Sequence, residues 1–119
     1  CRPGRGVQAP GGTLRAMSKI SLIAKLTAAD GKHDELEAAI RHVISAADEE
    51  EGLEVYSAHA VVDEPGAFYF FEVYRDAEAV AAHGKGDGMR SAMGAFGGLL
   101  AGRPEITRFR PVAATGLDL

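Results

Sequence analysis

The segment Phe68-Tyr-Phe-Phe-Glu-Val-Tyr74 constrains the fold most, because it predicts a strand that is apolar on both faces. Side chains alternate in direction along a strand. One face carries Phe68, Phe70, Glu72 and Tyr74, and the other carries Tyr69, Phe71 and Val73. A chain of 119 residues can lay helices over one face, whereas the other is most easily covered by a second copy of the chain. The strand therefore predicts a dimer that packs sheet to sheet.

Glu72 is the one carboxylate on this strand. A carboxylate that is buried without a partner destabilises the folded state by several kcal/mol. We therefore expect Glu72 to have a hydrogen-bond partner or a raised pKa.

The composition limits the kinds of partner that the protein can bind and indicates its cellular compartment. The chain has 13 basic and 17 acidic residues, a net charge of −4, and no basic cluster that could follow a phosphate backbone. Its single cysteine, Cys1, allows no disulfide framework, and no Cys/His set has zinc-binding spacing. No apolar run approaches ~20 residues, so no membrane span is predicted. We expect a cytoplasmic protein that binds no nucleic acid, membrane or metal.

Residues 1–16 are rich in Gly, Pro and Arg and show neither helical nor strand periodicity. We interpret them as a leader outside the fold, either an upstream extension or a cloning remnant, with a short functional arm as the alternative. The sequence predicts one domain over residues 17–114 and a tail over residues 115–119.

The first half of this domain alternates between strand and helix patterns. Residues 19–26 alternate apolar and polar side chains, residues 32–48 carry apolar side chains at helical spacing, and residues 53–62 form a second strand pattern. The turn signal Asp63-Glu-Pro-Gly66 joins that strand to the two-faced third strand as a hairpin.

The second half predicts one interrupted helix and a last strand. Asp76 is the expected N-cap, glycines at 84, 86 and 88 interrupt the helix, and the helical pattern resumes at Met89. Residues 106–112 form the last strand pattern. The order β-α-β-β-α-β predicts an α+β, ferredoxin-like fold, with a four-stranded antiparallel sheet and both helices on one side.

His83 is the histidine of greatest interest, since it lies where the second helix breaks at glycines. A helix that folds back over the sheet could bring its ring over Tyr74 and Glu72, although a helix-end residue stabilised by the helix dipole explains it equally well. The other three histidines are assigned no role: His33, His42 and His59. The glycine stretch lacks the context of a phosphate loop and is interpreted as a flexible break that could act as a lid.

Five short motifs follow one another in a specific order and spacing. They are Gly52-x-x-x-Tyr56, Asp63-Glu-Pro-Gly-x-Phe68, Glu72-x-Tyr74, His83 and the closing Glu105-Ile-Thr-Arg-Phe-Arg. In this order, over about residues 18–112, the chain resembles the antibiotic biosynthesis monooxygenase domain. The resemblance implies a dimeric α+β barrel, in which two ferredoxin-like sheets pack face to face and each subunit keeps a pocket between sheet and helices.

The chemistry that the resemblance implies varies within the family. Some members oxidise hydroxylated aromatics or quinols with dioxygen and no metal or flavin, others open haem, and some relatives are isomerases or have no established reaction. The haem-opening branch uses an Asn, a Trp and a His, at the positions matched here by Ala24, Tyr74 and His83. Since the chain contains no Asn and no Trp, haem degradation is disfavoured.

We therefore predict a homodimeric, cofactor-independent monooxygenase that oxidises a hydroxylated aromatic or quinol with dioxygen. His83 is the predicted base, and Tyr74 is the predicted hydrogen-bond partner of the substrate oxygen. Glu72 is predicted to orient His83 or an intervening water, and a purely structural hydrogen bond to the backbone is the alternative. The predicted substrate-binding residues are Phe68, Phe70, Ala24, Met89, Met93 and Phe96. The competing hypothesis is a non-catalytic or isomerising small-molecule-binding dimer of the same fold.

Overall fold

The computed structural model describes residues 18–47 and 50–117, so the predicted leader, residues 1–16, lies outside the described residues. The elements are β1 Ile20–Thr27, α1 His33–Ala46, β2 Leu53–Ala60, β3 Ala67–Tyr74, α2 Ala77–Lys85, α3 Asp87–Phe96 and β4 Glu105–Phe109. The strands form one sheet in the order β2-β3-β1-β4, and every neighbouring pair is antiparallel. This confirms the predicted ferredoxin-like arrangement.

The helices pack on the sheet face that carries Phe68 and Phe70. Both phenylalanines are only 3% exposed, and α1 and α3 bury their apolar sides against them. The strand register places Leu26 opposite Phe68 and Ala24 opposite Phe70, so β1 contributes to the same core. Helix α1 forms because its apolar residues recur at helical spacing and meet this apolar sheet face.

The predicted second helix consists of two helices that meet at Gly86. Asp76 caps α2 as expected, because its side chain accepts a hydrogen bond of 2.9 Å from the backbone N–H of Ala79. Gly86 has an extended backbone, with φ −79° and ψ 168°, which ends α2 and lets α3 begin in a new direction. The break places His83 in the last turn of α2 and Met89 in the first turns of α3.

The opposite sheet face, which we call the outer face, carries Ile23, Lys25, Tyr69, Phe71 and Phe109. The side chains of Phe71 and Phe109 are 44% and 42% exposed. Among residues 18–47 and 50–117, all three helices lie on the other side of the sheet. None of the helices in these two ranges has the length and apolar character needed to cross a membrane.

Candidate active site

A cavity of about 100 Å³ lies between the sheet and helices α2 and α3. Seven of the nine predicted site residues line it: Ala24, Phe70, Glu72, His83, Met89, Met93 and Phe96. The two that do not are Phe68, which packs in the core below α1, and Tyr74, which is fully buried beside Glu72. The walls of the cavity are mainly apolar, and its polar lining residues are Tyr56, Glu72 and His83.

Glu72 is a buried carboxyl group, 9% exposed, at the polar end of this cavity. Its Oε1 accepts a hydrogen bond of 2.5 Å from the hydroxyl of Tyr74, two residues along the same strand face. Burial raises the pKa of Glu72, while the Tyr74 hydrogen bond and the nearby His83 oppose that rise. Both outcomes expected from the sequence, a hydrogen-bond partner and a raised pKa, are therefore present.

Tyr74 has a different role from the one predicted for it. Its relative exposure is 0%, and its hydroxyl donates to Glu72. Burial, and then the hydrogen bond to Glu72, raise the pKa of Tyr74 far above the ordinary value. The structure thus places Tyr74 as the partner of Glu72 and not in the wall of the cavity.

His83 reaches the polar end of the cavity from α2, and 9% of its side chain is exposed. Its ring contacts two tyrosines, with centroid distances of 5.7 Å to Tyr56 and 5.5 Å to Tyr74. A hydrogen bond of 2.6 Å joins its Nδ1 to Oε1 of Glu50, in the loop that precedes β2. The hydrogen-bond partner of His83 is therefore Glu50, and Glu72 interacts with it through charge.

Tyr56 also lines the cavity, although it is absent from the predicted site residues. It lies opposite Glu72 in the β2–β3 pairing, and its ring centroid is 5.5 Å from that of Phe70. Burial raises the pKa of Tyr56, and the charges of Glu72 and Glu50 raise it further. No described residue hydrogen-bonds its hydroxyl. Its pairing with Glu72 places Tyr56 on the face of the sheet that lines the cavity.

A larger groove of about 570 Å³ runs between α1 and the β2 edge of the sheet. Its charged lining is the exposed ion pair between Glu37 and Arg41. Neither His83 nor Glu72 lines this groove. Because a reactive site needs titratable groups as well as space, the smaller cavity is the stronger candidate. Within residues 18–47 and 50–117, no three His, Cys, Asp or Glu side chains lie close enough to hold a metal ion.

Comparisons with known proteins agree with the fold. The family model described as antibiotic biosynthesis monooxygenase matches residues 19–95, a range that includes Glu72, His83 and the first turns of α3. No curated protein sequence matches the chain at a significant level.

Solved structures from several bacteria share the fold. A candidate antibiotic biosynthesis monooxygenase from Caulobacter crescentus is 26% identical, with a TM-score of 0.76, over 85% of this chain and 96% of that one. The PA3566 protein of Pseudomonas aeruginosa is 26% identical, with a TM-score of 0.75, over 82% and 98%. A possible oxidoreductase from Bacteroides thetaiotaomicron is 21% identical, with a TM-score of 0.72, over 79% and 98%.

Proposed function

Since this chain belongs to the antibiotic biosynthesis monooxygenase family, we propose that it is a cofactor-independent monooxygenase that oxidises a small hydroxylated aromatic or quinol with dioxygen. The observation that carries this proposal is the convergence of His83, Tyr56 and Glu72 at one end of an otherwise apolar cavity. A general base, a phenol donor and a buried carboxyl group meet where a flat apolar ring would place its hydroxyl.

The first step is removal of the substrate's hydroxyl proton by His83. The O–H bond of the substrate breaks and a new N–H bond forms on the imidazole ring. The hydroxyl of Tyr56 donates a hydrogen bond to the phenolate oxygen that results. In this proposal Tyr56 takes the role that the sequence analysis gave to Tyr74, because the Tyr74 hydroxyl is already committed to Glu72.

The second step is oxidation of the anion by dioxygen. For a hydroquinone, the substrate and one dioxygen give a hydroxyquinone and one water, so that one oxygen atom enters each product. All four electrons that reduce dioxygen come from the substrate, and no other reductant is required. In this proposal the buried rings of Phe70 and Phe96 form an apolar wall that shields the anion from water.

The size of the cavity limits the substrate. Its volume of about 100 Å³ is below the roughly 150 Å³ of an engineered cavity that binds benzene. A single ring therefore enters only with α3 displaced or with part of the ring in the mouth. Met93 and Ile106, which are 56% and 64% exposed, form that mouth. The same small volume favours the second candidate function, a small-molecule-binding or isomerising protein that takes a ligand smaller than an aromatic ring.

A homodimer is part of the proposal, and so is the predicted cytoplasmic location. The outer face of the sheet exposes Phe71 and Phe109, which lie on β3 and β4. An exposed apolar sheet face of this kind is usually covered by a partner, and a second copy offers the same surface under two-fold symmetry. Light scattering at micromolar protein concentration should therefore report about twice the 12.5 kDa mass of the chain.

The experiment that tests the catalytic proposal is oxygen uptake, measured with an electrode and a panel of single-ring quinols and anthrone-like phenols. For any oxidised substrate, His83→Ala should lower the rate by about 10²-fold or more, which is the usual contribution of a positioned base. Raising the pH should partly restore the variant, because more substrate then ionises without help.

His42→Ala is the matched control, since His42 lies exposed on α1, away from the cavity. Full activity of His83→Ala on every substrate would remove His83 from the mechanism. Absence of oxygen uptake by the parent across the panel would favour the binding or isomerising function.

A further inference from the structure

Glu50 contacts His83 but is not among the residues that line the cavity. The His83 ring lines both the cavity and a separate crevice of about 10 Å³, and Glu50 lines only the crevice. A space of this size holds at most about one water molecule. Glu50 is therefore not a wall of the cavity, and its direct contact with the site is the hydrogen bond to His83.

The hydrogen bond between the two residues determines which ring nitrogen is available. A carboxylate has acceptors only, so the 2.6 Å contact from Glu50 Oε1 to Nδ1 requires the ring proton to be on Nδ1. In a neutral imidazole the other nitrogen, Nε2, then carries the lone pair. Because the two nitrogens lie on different edges of the ring, a bond at Nδ1 directs Nε2 away from Glu50.

The protein holds both partners of this pair in place. The backbone N–H of Glu50 donates to the carbonyl of Ala47 at 3.1 Å, and the N–H of Arg75 donates to the carbonyl of Gly52 at 2.7 Å. The second bond joins the loop that carries Glu50 to the end of β3, directly before α2. The ring of His83 also contacts the rings of Tyr56 and Tyr74.

We propose that Glu50 is the positioning residue of the active site: it accepts the Nδ1 proton of His83 and so presents Nε2 to the cavity as the base. The inference rests on the proposed function, in which His83 takes the substrate proton. When the substrate O–H bond breaks and the N–H bond forms at Nε2, the ring becomes an imidazolium, and the Glu50 carboxylate stabilises its charge. The proton returns from Nε2 when the second oxygen atom leaves as water.

A simpler explanation is an ion pair without function, since Glu50 keeps 26% of its side chain exposed and such pairs add only about 0–1 kcal/mol to stability. The two explanations differ in their effect on the ring tautomer and on turnover. A merely structural pair would leave kcat unchanged once the variant is folded.

The test compares Glu50→Ala and Glu50→Gln with Glu51→Gln, a control carboxylate that is exposed and adjacent in sequence. Nitrogen NMR of the His83 ring, at a pH where the ring is neutral, should show the Nδ1–H tautomer in the parent and in the control. Glu50→Ala should shift the ring towards the Nε2–H tautomer. Glu50→Gln should keep the tautomer, because its amide oxygen still accepts the hydrogen bond.

Turnover gives the second readout on whichever quinol or phenol the parent oxidises. Glu50→Ala should lower kcat by about 10- to 100-fold, by analogy with the carboxylates that orient metal-bound histidines, with KM nearly unchanged. Glu50→Gln should recover part of that loss, because it restores the orientation of the ring without the negative charge.

The outcomes separate this inference from the proposed function. An Nε2–H tautomer in the parent would overturn the role of Glu50, whether or not any substrate is oxidised. A shifted tautomer with unchanged kcat in Glu50→Ala would also overturn it. No oxygen uptake by the parent, together with the Nδ1–H tautomer, would instead contradict the proposed function and leave the Glu50–His83 arrangement supported.

Discussion

The two faces of β3 differ in a way that their composition does not suggest. The helix-covered face holds the carboxyl group of Glu72 at 9% exposure, whereas the outer face leaves Phe71 44% exposed. The carboxyl group is thus buried and the aromatic ring is exposed, the reverse of the usual distribution. A buried acid and an exposed aromatic both indicate a function beyond folding. We associate the covered face with chemistry and the outer face with assembly.

The largest expected effect is on stability, and it compares two neighbouring residues, Phe70 and Phe71, that lie on opposite faces of β3. Phe70→Ala removes a ring that is 3% exposed in the main core, so it should lower the free energy of unfolding by about 3–5 kcal/mol. Phe71→Ala should lower it by far less within one subunit, because that ring is already half in solvent. Chemical denaturation of both variants, at a concentration low enough to dissociate any dimer, measures the difference. Equal losses would contradict the assignment of the two faces.

The second prediction tests whether the outer face is the dimer interface, by placing a charged residue on that face. Phe71→Asp should convert the dimer to a monomer, since it places a carboxylate in the proposed interface, where burial without a partner is unfavourable. Light scattering should then report the 12.5 kDa chain mass. Val62→Asp is the control, because Val62 is 94% exposed and outside the strands. An unchanged dimer in Phe71→Asp would show that this face is not the interface.

A smaller effect on stability is expected at Gly52, which lies directly against Ala79 of α2. Gly52 has φ +85°, and a Cβ there would lie 2.6 Å from the Cβ of Ala79 in α2. Gly52→Ala should therefore lower stability by about 1–3 kcal/mol from backbone strain, and the clash adds to that. Gly31→Ala is the matched control, since its φ is +75° but a Cβ would meet nothing within 4 Å.

Thermal melts of the two glycine variants measure the effect of the close contact. Each 1 kcal/mol lowers Tm by roughly 4–8 °C in a domain of this size. Equal decreases in both variants would mean that α2 does not depend on the contact with Gly52.

The smallest expected effect is a pH-dependent gain in thermal stability from Glu72→Gln. Burial raises the pKa of Glu72 above its ordinary value, so the folded chain binds a proton more readily than the unfolded chain. The wild-type protein therefore loses stability as the pH rises from the ordinary carboxyl pKa through the raised one. Glu72→Gln has no such loss, and its Tm relative to the wild type should be higher at pH 8 than at pH 4.

Glu51→Gln is the comparison for this change, because Glu51 is exposed in the loop before β2. Its Tm relative to the wild type should vary little between the two pH values. A difference for Glu72→Gln that is the same at both pH values would show that the buried carboxyl group does not titrate as described.

Local patterns were sufficient for most of the fold. The Asp76 cap, the Asp63–Gly66 turn and the break among the glycines each depend on residues close together in sequence. The alternation of β3 also separated its two faces correctly, because side-chain direction in a strand has a period of two. For the same reason Glu72 could be predicted to need a partner, and its partner is Tyr74 on the same strand face.

The same alternation failed where β2 is irregular. Strict alternation would place Leu53 on the side of Val55, yet the register shift between them pairs Leu53 with Tyr74, and Leu53 packs in the helix-side core. One extra residue in a strand reverses the face of every residue beyond it. No local pattern in residues 53–55 marks this irregularity.

The sequence by itself determined the order of the elements, the two faces of β3 and the types of group that the site contains, since these depend on neighbouring residues. Tertiary structure decided which of those groups meet. Glu50 and His83 are 33 positions apart and come together only because the loop around Gly52 packs against α2. Tyr56 reaches the cavity through its pairing with Glu72. Packing between elements decides which distant residues come into contact. Sequence periodicity describes only neighbouring residues, so it carries no information about such contacts.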